Sequence, residues 1–176
     1  MKRFVIMTLC CAGLTACSSM SLRSPTASAS LAPTKGHQVS GTVSFVQRGD
    51  NVLVEARVTG LSPGLHGFHI HEKGDCTAAD ASSAGGHFNP HKTPHGGPEA
   101  AQHHAGDLGN LTADSGGIAV YKAEVTRISL GTGEDSIIGR AVIVHANPDD
   151  LRTQPAGNAG ARLACGLISK GKDQWF

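Results

Sequence analysis

The stretch HGFHIH, His66 to His71, packs three of the chain's ten histidines into six residues. Imidazole is a poor filler for a core, because its ring nitrogens cost free energy when buried without partners. Side chains alternate across a strand, so His69 and His71 project from one face and His66 from the other. A single buried histidine is ordinarily hydrogen-bonded, and His66 is read as such a structural residue. Two imidazoles on one face call for a shared partner. A metal ion is the economical one, since neutral imidazole is the commonest metal ligand.

Further candidate ligands follow. GGHFNPHKTPHGG carries His87, His91 and His95, and QHHAGDLGN carries His103, His104 and Asp107. His104 and Asp107 stand three apart, which lets a turn bring both onto one ion, and His145 ends the apolar run VIVH. This is more imidazole than one tetrahedral ion needs, so there are either two ions or several idle side chains. Three histidines with an aspartate make the closed set that Zn2+ takes in structural sites. An all-imidazole set suits copper, which accepts a tetragonal nitrogen field and cycles between two oxidation states. Spacing alone leaves the number and identity of the ions open.

The elements that must position these residues read as strands. From His37 the chain alternates: Val39, Gly41, Val43 and Phe45 share one face, as do Val52, Val54, Ala56 and Val58. RGDN between them is turn chemistry, which predicts a hairpin. Strand patterns resume over 117–125, 136–145 and 161–169, and no segment has the period of an amphipathic helix. Residues 72–110 show no regular period, and loops of such length in compact domains are commonly functional. With 4% aromatic residues and 23 glycines, the composition suits a turn-rich β protein and argues against a helical bundle. The expected fold is an all-β antiparallel sandwich or barrel with two long functional loops, 72–110 and 146–161. A net charge of +1 without a Lys/Arg cluster argues against nucleic acid as a partner.

Residues 1–16 read as a signal peptide. Lys2 and Arg3 precede an apolar run, Phe4 to Leu14, too short to span a bilayer. LTAC, Leu14 to Cys17, resembles the bacterial lipobox, which implies cleavage before Cys17 and lipidation of that cysteine; conventional cleavage after a small residue is the alternative. Residues 17–36, rich in Ser, Ala and Pro, are expected to form a lipid-anchored tether with nothing to pack, and 37–176 the folded domain. Of five cysteines, Cys10 and Cys11 leave with the signal and Cys17 carries lipid. The remaining pair, Cys76 and Cys165, reads as one disulfide in an exported protein.

GFHIHEKGDC, AGGHFNP, HGGP, HAGDLGN, IIGRAVIVH and GNAGARLACG together resemble the copper/zinc superoxide dismutase family, in the family's order from about Val39 to Ile168. The resemblance implies a Greek-key β-barrel of the immunoglobulin-like sandwich type, with one copper and one zinc per subunit. It implies disproportionation of superoxide to O2 and hydrogen peroxide. By motif, His69, His71 and His145 match copper ligands, and His87 matches the histidine bridging copper and zinc through both ring nitrogens. His95, His104 and Asp107 match the remaining zinc ligands. Asp149 matches the carboxylate that hydrogen-bonds one histidine of each set. Arg162 matches the arginine beside the open copper face, and Cys76 with Cys165 the intrasubunit disulfide. His87, as a proton carrier, and Arg162, as a fixed positive charge for the incoming anion, are the catalytic residues this implies. His91 and His103 match no ligand and are expected to be exposed loop side chains.

Cys76 follows directly on Gly-Asp, well ahead of His87, which resembles the bacterial members. The 146–161 loop is shorter than in the eukaryotic enzymes and lacks their acidic pair and lysine, leaving Arg152 as its only cation before Arg162. Guidance of substrate is therefore expected to be built differently. The lipobox places the chain in a bacterial cell envelope, anchored to a membrane through Cys17 on the periplasmic side. Ser18 favours the outer membrane in a Gram-negative host. There it would protect the envelope from external superoxide. Dimer surfaces differ between branches of the family, so a homodimer is an expectation without an assigned surface. Three rivals stand against the enzyme reading. A non-catalytic copper/zinc-binding envelope lipoprotein is expected to lack a copper ligand, the bridge or the arginine, all of which are present. A zinc hydrolase leaves the second histidine cluster unexplained, and a purely structural sandwich leaves all of them so.

Overall fold

Period-two alternation drives the architecture of residues 26–171, which the computed structural model describes. The strands are β1 (Thr26–Pro33), β2 (Ser40–Arg48), β3 (Asn51–Thr59), β4 (Gly64–His71), β5 (Asp107–Ala113), β6 (Ala119–Val125), β7 (Ala141–His145), β8 (Arg162–Leu167) and β9 (Ser169–Lys170). β2 and β3 form the expected hairpin, Ser40 opposite Thr59 through Arg48 opposite Asn51. Val43, Phe45, Val52, Val54 and Val58 all point inward and are fully buried. Burying side chains of this size supplies roughly 1.5–3 kcal/mol each before the entropy of ordering them.

The strands run antiparallel in the order β2-β3-β6-β5-β4-β7-β8-β1, and β1 pairs back onto β2 to close an eight-strand barrel, with β9 beside β1. β4, β5 and β6 are neighbours in turn, while β3 lies beside β6 and β7 beside β4. Those two out-of-sequence neighbours are the Greek-key signature. Among the described residues the only helical element is a single 3-10 turn, Ser82–Ala84, and no helix is long and apolar enough to cross a membrane.

Closure corrects the expected tether. Residues 26–33, assigned by composition to the lipid-anchored tether 17–36, are barrel wall: Thr26 pairs with Val46 through Leu31 with Gly41, and Pro33 pairs with Ala164 of β8. Ala27, Ala29 and Leu31 face the core. TASASLAP has strand period despite its linker-like composition, and without it β2 and β8 would present unpaired edges. The signal peptide and Cys17 lie outside the described residues. A second correction is smaller. The loop 72–110 ends before Asp107, which opens β5.

Cys76 and Cys165 form the disulfide, Cα atoms 5.8 Å apart, joining the loop after β4 to β8 across 89 residues of sequence. The tether correction has a direct test. Leu31→Ala should cost about 2–5 kcal/mol in guanidinium unfolding of the metal-free protein. A residue in an unpacked tether would cost nothing measurable.

Candidate metal centre

β4 sorts its histidines by face. Phe68 and Ile70 enter the core fully buried, and His66 shares their side, its ring nitrogens 2.8 Å from the carbonyl oxygen of His145 and 2.9 Å from that of Ser62. His69 and His71 point the other way. Two bulges then bring partners to them. Between β4 and β5 the register slips so that His69 faces Asp107, with Gly109 at φ +80° absorbing the extra residue. Between β7 and β8 a slip sets His145 opposite Arg162. Bulges of this kind re-aim side chains next to active sites. Residues 86–88 lie along the end of β4, Phe88 N–H donating to Ile70 and Glu72 N–H to Gly86, which sets His87 beside His71.

Two sets of ligand atoms result, each within 4.8 Å: His69, His71, His87 and His145, and His87, His95, His104 and Asp107. Every one of these residues is buried, and His87 belongs to both sets. In the first set the nitrogen facing away from the centre is fixed for three histidines. His69 Nε2 donates to Asp149 Oδ2 at 2.8 Å, His71 Nδ1 to the Gly85 carbonyl at 2.9 Å, and His145 Nδ1 to the Gly160 carbonyl at 3.2 Å. Their other nitrogens must then carry lone pairs. His71 Nε2 and His145 Nε2 face each other at 3.4 Å as two acceptors, and His69 Nδ1 and His87 Nε2 are buried without any partner. Lone pairs converging in a dry site repel unless a cation sits among them. The donor set fits a metal, and four imidazole nitrogens suit copper.

In the second set Asp107 Oδ1 lies 2.7 Å from His87 Nδ1 and 3.2 Å from His104 Nδ1, and Oδ2 lies 3.1 Å from His95 Nδ1. That last contact has no hydrogen-bond geometry, which leaves His95 Nδ1 an orphan. Oδ2 is held instead by the backbone N–H groups of His104 and Gly96. Three imidazoles and one carboxylate suit Zn2+. Asp149 joins the two sets, since its Oδ1 accepts from His95 Nε2 at 2.9 Å while Oδ2 accepts from His69.

Burial governs the electrostatics. It pulls His87 down to about 4 and His145 to about 3, and it lowers His69 and His71 as well, with the neighbouring His87 adding to the shift at His71. All four are neutral at neutral pH, as ligands must be. His95 goes the other way, to about 9, because the nearby Asp107 carboxylate and the hydrogen bond to Asp149 outweigh its desolvation. Both carboxyls, though desolvated, sit well below the ordinary carboxylate range because the imidazoles of His104, His87 and His95 crowd Asp107, with His87 donating to it, and because His69 and His95 donate to Asp149.

Arg162 donates from Nη1 to the Ala81 carbonyl at 2.5 Å and from Nη2 to the Gly85 carbonyl at 2.6 Å. Gly85 therefore holds both His71 and the guanidinium. His91 is exposed, as expected, and pairs with Asp135 at 2.7 Å. His103 is a correction. It is 3% exposed, donating from Nδ1 to the His104 carbonyl, because the turn carrying His104 inward takes its neighbour with it. The Gly85 carbonyl and the Gln154 side chain, which bonds the His95 backbone, escaped the sequence reading. A main-chain acceptor leaves no residue signature, and a loop glutamine resembles any other.

Residues 39–168 match the family model described as copper/zinc superoxide dismutase. "Superoxide dismutase [Cu-Zn] 2" of Mesembryanthemum crystallinum is 50% identical over 139 residues, covering 75% of this chain and 88% of that protein.

The shifted histidines predict a stability maximum for the metal-free protein near pH 6.5. Below it the unfolded chain binds protons that folded His87 and His145 refuse until about 4 and 3, so stability falls with acid. Above it folded His95 keeps its proton to about 9 while the unfolded chain has released its own, so that contribution fades as pH rises. Each group changes stability by up to about 1.4 kcal/mol per pH unit within its window. Thermal unfolding of chelator-treated protein from pH 4 to 9 should be dome-shaped, and a monotonic rise would contradict the assignment.

Proposed function

The chain belongs to the copper/zinc superoxide dismutase family, and on that premise we propose that His69, His71, His87 and His145 hold its copper and His87, His95, His104 and Asp107 its zinc. It is an oxidoreductase that disproportionates superoxide with one copper and one zinc per subunit. The observation carrying the residue assignment is the convergence of four imidazole nitrogens, three of them locked from behind, on a point that shares His87 with a carboxylate-bearing set.

Bound copper supplies a one-electron acceptor that can return the electron, which redox-inert Zn2+ cannot. Two superoxide anions and two protons leave as O2 and hydrogen peroxide. The residues supply position, charge and a proton. Asp149 and the Gly85 and Gly160 carbonyls fix ring orientation, so the imidazoles need not reorganise between oxidation states. His87 Nδ1 is pinned beside Asp107, leaving Nε2 as the atom that carries a proton. A ring that burial makes reluctant to hold a proton passes one on readily to the reduced product. Arg162 is hydrogen-bonded by carbonyls, with the Asp80 carboxylate acting on it only at longer range, so its guanidinium can also meet an anion. Its charge adds to the burial that depresses His71 and His145, as a group close to that face would.

The setting in this reading is a bacterial envelope. Lys2, Arg3, the apolar run and the Leu14–Cys17 pattern support a lipidated Cys17, a membrane-tethered enzyme and a role against external superoxide. The protein is taken to act as a homodimer, as its family membership supports.

Suppression of cytochrome c reduction by the metal-loaded chain tests the activity. It should require copper and vanish in His145→Ala. Arg162→Ala should keep copper yet be slower by on the order of tenfold, with weaker ionic-strength dependence. Full metal loading without activity would leave a binding protein. Labelled palmitate should enter the parent but not Cys17→Ser, and an unlabelled parent would overturn the anchor.

A further inference from the structure

The 146–161 loop contains the expected Asp149, but three of its residues converge on one histidine. Asp149 Oδ1 accepts from His95 Nε2 at 2.9 Å. The Gln154 amide meets the His95 main chain in both directions: its Oε1 accepts from His95 N–H at 2.9 Å, and its Nε2 donates to the His95 carbonyl at 2.9 Å. Gly157 lies over the carboxylate–imidazole bond, where a Cβ would overlap Asp149 Oδ1 and come within 2.7 Å of His95 Nε2.

The loop is built to deliver these contacts. Asp150 N–H donates to the Gly157 carbonyl at 2.9 Å and Gly157 N–H to the Thr153 carbonyl at 2.7 Å, folding 149–157 back on itself. Gln154 Nε2 also donates to the Arg152 carbonyl at 3.1 Å, which holds the amide in one orientation. At the loop's start the Asn110 amide pairs both ways with the Asp149 backbone, at 2.8 and 2.9 Å, and so ties it to β5. A reciprocal amide–backbone pair imposes strand-like geometry on a residue that lies in no strand. His95 sits in the irregular segment between β4 and β5 and has no ladder of its own.

We infer that Gln154 is the positioning residue of the zinc site, its amide standing in for a neighbouring strand along His95 so that Nδ1 stays aimed at the ion. The inference rests on the zinc reading of His95. It assigns the short loop a task other than guiding substrate, that of a strap retaining zinc. Outer partners of metal-bound histidines typically affect affinity by about 10–100-fold. Gln154 acts through the main chain, and its effect belongs at the low end.

The test uses the full chain loaded with Zn2+ alone, with release followed by a chromophoric chelator, and with Co2+ alone as the spectroscopic probe. Gln154→Ala should release zinc about tenfold faster than the parent and shift the Co2+ d–d bands. Gln154→Glu keeps the size but sets a carboxylate oxygen against the His95 carbonyl, so it should also release faster than the parent. Parent-like release and bands in both variants would overturn the inference. So would a lowered melting temperature of the metal-free variants with unchanged bands, the mark of a merely structural residue. A parent that holds no zinc would overturn the zinc reading itself, and the inference with it.

Discussion

One buried carboxylate holds the two halves of the centre to each other. Asp149 accepts from His69 at 2.8 Å and from His95 at 2.9 Å, with all three side chains wholly buried. A carboxylate in such a place is tolerable only if both oxygens are paired, and its pairing here spans the two ligand sets. His69 and His95 are therefore held to the same carboxylate. His87, common to both sets, fixes the same distance from the other side. Much of the fold outside the core can be understood as the means of bringing these groups to one place.

The barrel does so with a rigid wall and irregular attachments. β4 and β7 supply His69, His71 and His145 on a surface whose reverse is packed core, so their backbones cannot relax toward a looser site. Bulges on β5 and β8 add Asp107 and Arg162 at the level of their partners. The remaining groups come from two loops, and each loop is bonded to the wall. The first is bound by residues 86–88 along β4 and by the disulfide to β8; the second is bound by Asn110 on β5. Catalytic loops on a stiff scaffold are common, but here neither loop is left free.

The disulfide loop ties Arg162 and His71 to one stretch of backbone. It carries the Ala81 and Gly85 carbonyls that brace Arg162, and the Gly85 carbonyl also orients His71. The guanidinium and the His71 imidazole are thus referenced to the same oxygen. No carboxylate bonds the guanidinium there, and burial keeps the His71 and His145 imidazoles neutral.

The sequence by itself determined what is local or repeated. Alternation at 39–45 and 52–58 specified a hairpin and its inward face, because strand geometry couples parity to side. The same parity separated His66 from His69 and His71. The three-residue spacing of His104 and Asp107 announced a turn that the structure contains, with Asp107 N–H donating to the His104 carbonyl. What spacing could not reach was any relation between distant segments, and there the family resemblance supplied expectations that residue patterns did not. Tertiary structure alone decided that 26–33 is barrel wall, since alternation among Ala and Ser is too weak in hydrophobic contrast to reveal which side will be buried. It alone buried His103, tied Gly85 to both Arg162 and His71, and set Gln154 against His95 across 59 positions. Those contacts depend on where barrel closure and register carry backbone atoms, and a carbonyl oxygen is the same in every residue.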